Sequence, residues 1–323
     1  GKVAIGTISG TTVTFGTPVT YRDSSYMNSG QAIAYNPNVA NQLIVFYNLA
    51  SPNNCYSKVG TVSGTSISFG SAVQFKSGAA DNISVSFDPN TTGKFVLSYP
   101  DGSNNSYATS MVGTLSGTTA SYGSAVVFNS DYSPLTTISY DLSTAGKCLV
   151  AYSDTNSSKT GTSKVGTVSG TSVSFGASAA FNSGGGGVTD IAVSSDPNTA
   201  DKYVIAYKDK GNLNYGKAVA VSVSGTTLSF GTEVTFKAHG TEYIDVAFDK
   251  NTTGKFVIAY QDSSNSYYGT AIVGNLSGTT ISFGTAQVFE SSNSQTIKLG
   301  FNPFTTGAGQ FLTIFRYDGR VYA

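Results

Sequence analysis

Six copies of Ser-Gly-Thr, with their glycines at Gly10, Gly64, Gly117, Gly170, Gly225 and Gly278, each lead into an alternating strand pattern. Consecutive glycines lie 54, 53, 53, 55 and 53 residues apart, and the step from Gly278 through Ala323 and round to Gly10 is 55, so six whole repeats account for all 323 residues. A fixed period in this range belongs to repeat architectures, in which each unit buries its faces against its neighbours. A count that returns to its starting point selects a closed ring over an open stack.

Within one repeat the sequence reads as four short runs, a to d: Ile83 to Phe87, Phe95 to Tyr99, Tyr107 to Leu115 and Thr119 to Phe128. Asp88-Pro89-Asn90 with Gly93 joins a to b, and Asn36-Pro37-Asn38, Asp196-Pro197-Asn198 and Asn302-Pro303 repeat the same turn chemistry. Ser-Gly-Thr is short enough to force an antiparallel hairpin between c and d. The residues matching Ser86 on run a are Ala34, Ser139, Ser194, Ala247 and Gly300, small enough for inner strands crowded round an axis. The expectation is all-β: one domain over residues 1–323, a six-bladed β-propeller of four-stranded antiparallel blades. The alignment of Val321-Tyr322-Ala323-Gly1-Lys2-Val3 with Asn214 to Val219 places the chain break inside run c. The last blade is thereby shared between residues 296–323 and 1–21, and pairing of the two ends closes the ring.

Charged residues make up 11% of the chain, with 18 basic and 18 acidic side chains and no run of one sign, which argues against nucleic acid or an anionic membrane as partner. No stretch has the length of a membrane span, and no signal peptide is read. Cys55 and Cys148 fall at different places in non-adjacent repeats, so no disulfide is expected, and with one histidine, His239, the ligands for zinc are too few. No cofactor or metal is expected. The polar composition, rich in Ser, Thr, Asn, Gly and with 20 Tyr, suits an extracellular or virion-surface setting.

The segments Asp88-Pro-Asn-Thr-Thr-Gly-Lys-Phe-Val96, Ala-Tyr-x-Asp262 and Val59-Gly-Thr-Val-Ser-Gly-Thr-Ser66 resemble tandem repeats of virion or tail-fibre-like proteins of marine tailed phages. The likeness spans the chain and rests on turns and core strands. It implies a particle-surface or adhesive role, with host-surface glycan or other virion proteins as partners, and carries no catalytic residues.

The a–b and c–d turns are uniform and share one rim. The b–c and d–a loops share the other and differ from repeat to repeat, which makes that rim the expected binding face. Run b ends in Tyr47, Tyr99, Tyr152, Tyr207 and Tyr260, and the alignment puts Arg316 at this position in the sixth repeat. On the same rim His239, Glu242, Tyr243, Tyr267, Tyr268 and Arg320 form one polar and aromatic corner, and Tyr21, Arg22, Asp23 and Tyr26 a second; tyrosine faces suit sugar rings and the polar groups suit hydroxyls. Asp245 and Lys298, at matching inner positions of adjacent repeats, are expected to form a buried ion pair near the axis, or alternatively an axial ligand contact. Most acids recur as turn formers, and no paired carboxylates or nucleophile motif stand out, so the chain reads as a binding module and not an enzyme. The alternatives are a polysaccharide-active enzyme with an axial site near Asp245 and Lys298, and an architectural ring.

Overall fold

The computed structural model describes residues 1–9, 12–22, 30–50, 53–155, 160–182, 186–301, 311–317 and 320–322. Every regular element among them is a strand, and every ladder is antiparallel. The chain divides into two compact units, Gly1–Ile138 with Val168–Ser174, and Ser139–Thr167 with Phe175–Ala323.

In the first unit, the second repeat shows the plan. Strands Ser84–Phe87 (a), Lys94–Asp101 (b) and Tyr107–Ser116 (c) pair in sequence order, and c then pairs with both Thr119–Tyr122 and Val126–Tyr132. Run d, expected as one strand to Phe128, is therefore broken at Gly123 and extends to Tyr132. Two short pieces follow one long strand because the chain must step over at the break. There Gly123 comes so close to the backbone of Thr171, in the following repeat's hairpin, that a Cβ has no room. Gly16 on Thr65 and Gly70 on Thr118 in this unit, and Gly176 on Thr226 and Gly231 on Thr279 in the other, repeat the contact. The aromatic-glycine pair at the end of the first d piece is thus a packing device between neighbouring repeats.

In the second unit the fourth and fifth repeats follow the same plan, with one difference. Val234–Phe248 runs without interruption from strand d of the fourth repeat into strand a of the fifth, joining the two sheets. The last strands, Gln295–Phe301, Phe311–Tyr317 and Arg320–Tyr322, form a three-stranded sheet.

Local chemistry sets the turns as the sequence reading requires. The side-chain oxygens of Asn36, Asp88, Asp141, Asp196 and Asp249 each accept the amide two residues on, at 2.8 to 3.0 Å. Packing is built from the b-strand tyrosines, which are at most 1% exposed. Four of these rings lie against the aromatic at the end of the preceding repeat's strand d: Tyr47 on Tyr21 and Tyr99 on Phe75 in the first unit, Tyr207 on Phe181 and Tyr260 on Phe236 in the second, with ring centres 5.2 to 6.3 Å apart. Burying such a ring contributes about 1.5–3 kcal/mol.

The register corrects one expectation. Lys298 stands opposite Ile314 as Ser84 stands opposite Ser98, so the counterpart of Tyr99 is Phe315 and not Arg316. Phe315 is 8% exposed and packs on Phe289 at 5.6 Å, as the tyrosines pack on their strand-d partners. Arg316 falls one place further on, where Pro100, Lys208 and Gln261 stand in other repeats.

Candidate functional site

The b–c loops and d–a connections lie together. The Gly102 amide bonds the Ala79 carbonyl and the Ser133 amide the Ser106 carbonyl; Lys210 bonds Gly187, Thr241 bonds Asn214, Ser263 bonds Gly240 and Ser294 bonds Tyr267 in the same way. The a–b turns sit beside the c–d hairpins, through Leu115 to Gly93, Val223 to Asp201 and Leu276 to Gly254. The expected division into two loop sets holds within each unit.

The b–c loops were expected to differ, and three of them share a backbone. Asp101, Asp209 and Asp262 each turn back to accept the amide two residues on. Three residues after each acid, Asn104, Asn212 and Asn265 donate their amides to the acid's carbonyl and accept from Tyr107, Tyr215 and Tyr268. The two residues between Asn and Tyr are left-handed in every case: Asn105 and Ser106, Leu213 and Asn214, Ser266 and Tyr267, with φ from 51° to 62°. Side chains other than glycine pay about 1 kcal/mol for this conformation. The sequence signal is Asp-x-x-Asn-x-x-Tyr, recognisable only once the spacing is compared across repeats. One scaffold thus presents different side chains, including Leu213, 75% exposed, and Tyr267, 48% exposed.

Charge at this rim is paired. Lys76 meets Asp101 at 2.7 Å and Lys237 meets Asp262 at 2.6 Å, each lysine on strand d of one repeat and each acid at the end of strand b of the next. At Asp209 the matching place, just past strand d, holds Asn182, and the cation comes from strand c instead: Lys217 bridges Asp209 at 2.7 Å and Glu233 at 3.0 Å. Burial alone raises the Asp262 carboxyl, but the Lys237 ammonium and the Ser264 hydroxyl and amide outweigh it and hold it below its ordinary value.

The corner around His239 is assembled in part. His239, exposed on its strand, precedes Gly240, which lies between Asn214 of one loop and Ser263 of the next. Glu242 reaches Lys208 at 3.4 Å, and Lys208 also meets Asp190 at 3.2 Å. Tyr243 is a left-handed bulge residue whose amide is held by Asp190 at 3.1 Å, and its ring packs partly against Ile297 and Phe315. Tyr267 and Tyr268 sit at the end of the neighbouring loop. Arg316 is exposed and donates to the Gln295 side chain at 2.6 Å. Arg320 lies in a strand whose side chains are outside the description.

The second corner is corrected. Tyr21 is 5% exposed, a core ring between Tyr47 and Phe69, because it occupies the strand-d aromatic position. The Arg22 carbonyl accepts from the Gly1 amino group at 2.9 Å. Asp23 and Tyr26 lie outside the described residues.

The inner pair is also corrected. Lys298 is 71% exposed and only 3.9 Å from Asp245, so no buried ion pair forms. Asp245 instead accepts the Leu299 amide at 2.9 Å and the Val246 amide at 3.1 Å. A cavity of about 330 Å³, lined by Phe230, Gly231, Thr232, Val234 and Thr279 to Ile281, belongs to the hairpin side and to none of the expected sites. Among the described residues no three metal-binding side chains converge, and no helix is long and apolar enough to cross a membrane.

Repeated four-stranded antiparallel sheets packed through their faces define an all-β fold of the β-propeller type. Solved structures support this. AofleA from Arthrobotrys oligospora is similar with a TM-score of 0.62 and 10% identity over 92% of this chain and 84% of its own. A variant of AofleA with three evenly spaced arginines replaced by alanine gives 0.59. Chaetomium thermophilum Sqt1, bound to the N-terminus of the ribosomal protein L10, gives 0.54 at 13% identity, over 89% of this chain and 68% of its own. The Hadza microbial sialidase Hz136 gives 0.55 at 10% identity, over 92% of this chain and 65% of its own. At such identities the likeness is one of fold. No protein-family model matches the chain, and no curated protein does.

Proposed function

We propose that this chain is a non-catalytic recognition module that binds glycan through the rim of b–c and d–a loops, serving on the surface of a particle such as a virion or in an adhesin. The observation that carries this is the shared Asp-x-x-Asn-x-x-Tyr loop, which holds a fixed, strained backbone while varying the exposed side chains it presents. Strain at exposed positions is retained where presentation matters. Exposed tyrosine beside serine and asparagine offers a sugar a stacking face and hydroxyl partners. A sialidase among the structures of this fold gives glycan chemistry further support.

An axial enzyme is less well supported. The Asp245 carboxylate already holds two backbone amides, which suits a positioning role better than proton transfer. A protein-binding ring is the second reading, favoured by the peptide-bound Sqt1 structure. Six blades, the last shared between residues 296–323 and 1–21, belong to the same proposal and are supported by the even spacing of the Ser-Gly-Thr hairpins.

A glycan-array screen of the chain beside a Tyr267→Ala, Tyr268→Ala variant tests the reading. Saturable binding that the variant weakens supports it. Silence from a folded parent overturns it and favours the protein-binding ring.

A further inference from the structure

Three repeats begin strand c with a tyrosine on the loop rim, but two of them place a second aromatic beside it. In the fifth repeat Tyr268 adjoins Tyr267 in the loop and stands opposite Asn293. The second repeat has Ser106 in place of Tyr267, yet Tyr107 stands directly opposite Tyr132, which is 54% exposed at the end of strand d. The fourth repeat has neither device: Tyr215 stands opposite Gly240 and follows Asn214. Strand c of the first and third repeats starts with Cys55 and Thr160. Two different elements have therefore supplied the same feature, a pair of neighbouring tyrosines on the rim.

The surroundings of the Tyr107–Tyr132 pair point to one chemistry. Opposed residues on adjacent strands have Cβ atoms about 5 Å apart, so the two rings share one patch of surface. Exposed Asn104 and Asn105 on the loop supply amide donors and acceptors. The nearby Asp101 carboxylate is taken by Lys76 and by the Ser103 amide, and Asp131, half-buried beside Tyr132, is also engaged, so these charges are already committed within the protein. The bulge that aims Tyr132 is held by two bonds, from the Ser133 amide to the Ser106 carbonyl at 3.0 Å and from the Asn129 side chain to the Ser133 hydroxyl at 3.0 Å.

We infer that the second repeat carries a further glycan site, with Tyr107 and Tyr132 as its stacking platform, for a neutral pyranose. This rests on the glycan reading of the rim and adds a second site, in the first unit, to the Tyr267–Tyr268 site in the second. Sugar faces stack on aromatic rings, and neutral hydroxyls match amides better than carboxylates or ammonium groups do.

The test is calorimetric titration of the full chain with chitohexaose, cellohexaose and maltohexaose, using the parent, Tyr132→Ala, Tyr132→Phe, Tyr267→Ala and the double alanine variant. The expected result is two sites on the parent for at least one of these sugars. Each single alanine variant keeps one site, the double variant keeps none, and Tyr132→Phe keeps both because the ring face is retained. Tyr132 is a surface side chain, so folding is not at stake, and circular dichroism confirms it. Parent-like titration of Tyr132→Ala, with binding lost in Tyr267→Ala, overturns this inference and leaves the wider reading standing. No saturable heat from the parent with any of the three sugars overturns both.

Discussion

The Asp245 carboxylate accepts the backbone amide of Leu299 at 2.9 Å, reaching from strand a of one repeat to strand a of the next. In the other unit the Ser84 hydroxyl accepts the Ile138 amide at 3.2 Å from the matching position. An acceptor at this inner position therefore joins neighbouring repeats, and the charge of Asp245 is secondary to its geometry. Asp245→Ala should cost about 1–3 kcal/mol by stranding the amide. Asp245→Ser, which reproduces the Ser84 arrangement, should recover part of the loss. Lys298→Ala should stay within about 0.5 kcal/mol, since the ammonium is exposed and distant. Urea denaturation of the three variants checks the order; an equal loss from Lys298→Ala would restore the ion-pair reading.

Gly231 faces the Thr279 carbonyl with no space for a methyl group. Gly231→Ala should lose about 1–3 kcal/mol through forced separation of the fourth and fifth repeats. Thr232→Ala, one residue away and exposed, should be close to neutral. Thermal melts of the pair decide, and equal melting temperatures would contradict the packing role.

The Tyr260 hydroxyl is buried without a hydrogen-bond partner among the described residues, and Phe315 fills the same position in the last repeat. Tyr260→Phe should therefore be neutral or stabilising by up to about 1 kcal/mol. Tyr260→Ala should lose about 3–5 kcal/mol by opening a cavity against Phe236. A marked loss from the phenylalanine variant, read in denaturant midpoints, would show that the hydroxyl has a structural task.

Asp262 is held below the ordinary carboxyl value by Lys237 and Ser264 against the opposing effect of burial. A lowered folded-state value gives stability that is present above the unfolded value, about pH 4, and is lost as pH falls through the folded one. Lys237→Met removes the main counter-charge, so the variant should trail the parent by on the order of 1–2 kcal/mol near neutrality. The gap should narrow below about pH 4, once the carboxyl is protonated in both. Midpoints measured across this range test it; a gap independent of pH would assign the loss to packing of the lysine stem.

Much of the fold was legible because turns announce themselves locally. Asp88 and its counterparts Asn36, Asp141, Asp196 and Asp249 bond their own backbone, and Ser-Gly-Thr forces its hairpin without help from distant residues. The position of Phe315 was not legible: counting back from Asp318 points to Arg316, and only strand register, with Lys298 opposite Ile314, shows the shift by one place. Tyr21 looked like a loop aromatic because its neighbours Arg22 and Asp23 are polar, yet tertiary packing makes it the strand-d ring. The rim scaffold escaped notice for the opposite reason. Its loops differ in their varied side chains, and the acids after strand b read singly as turn formers, so the constant Asp-x-x-Asn-x-x-Tyr spacing that sets the backbone shows only when the repeats are laid over one another. Which of the varied residues would meet a ligand under the proposed reading depends on shape between loops, which no single repeat encodes.

The most direct measurement is hydrogen exchange of the chain with and without the strongest array ligand. Slower exchange at residues 102–106, 210–214 or 263–267, with the Ser-Gly-Thr hairpins unchanged, is the expected result. Protection confined to those hairpins, or absent throughout despite saturation, would contradict recognition through the loop rim.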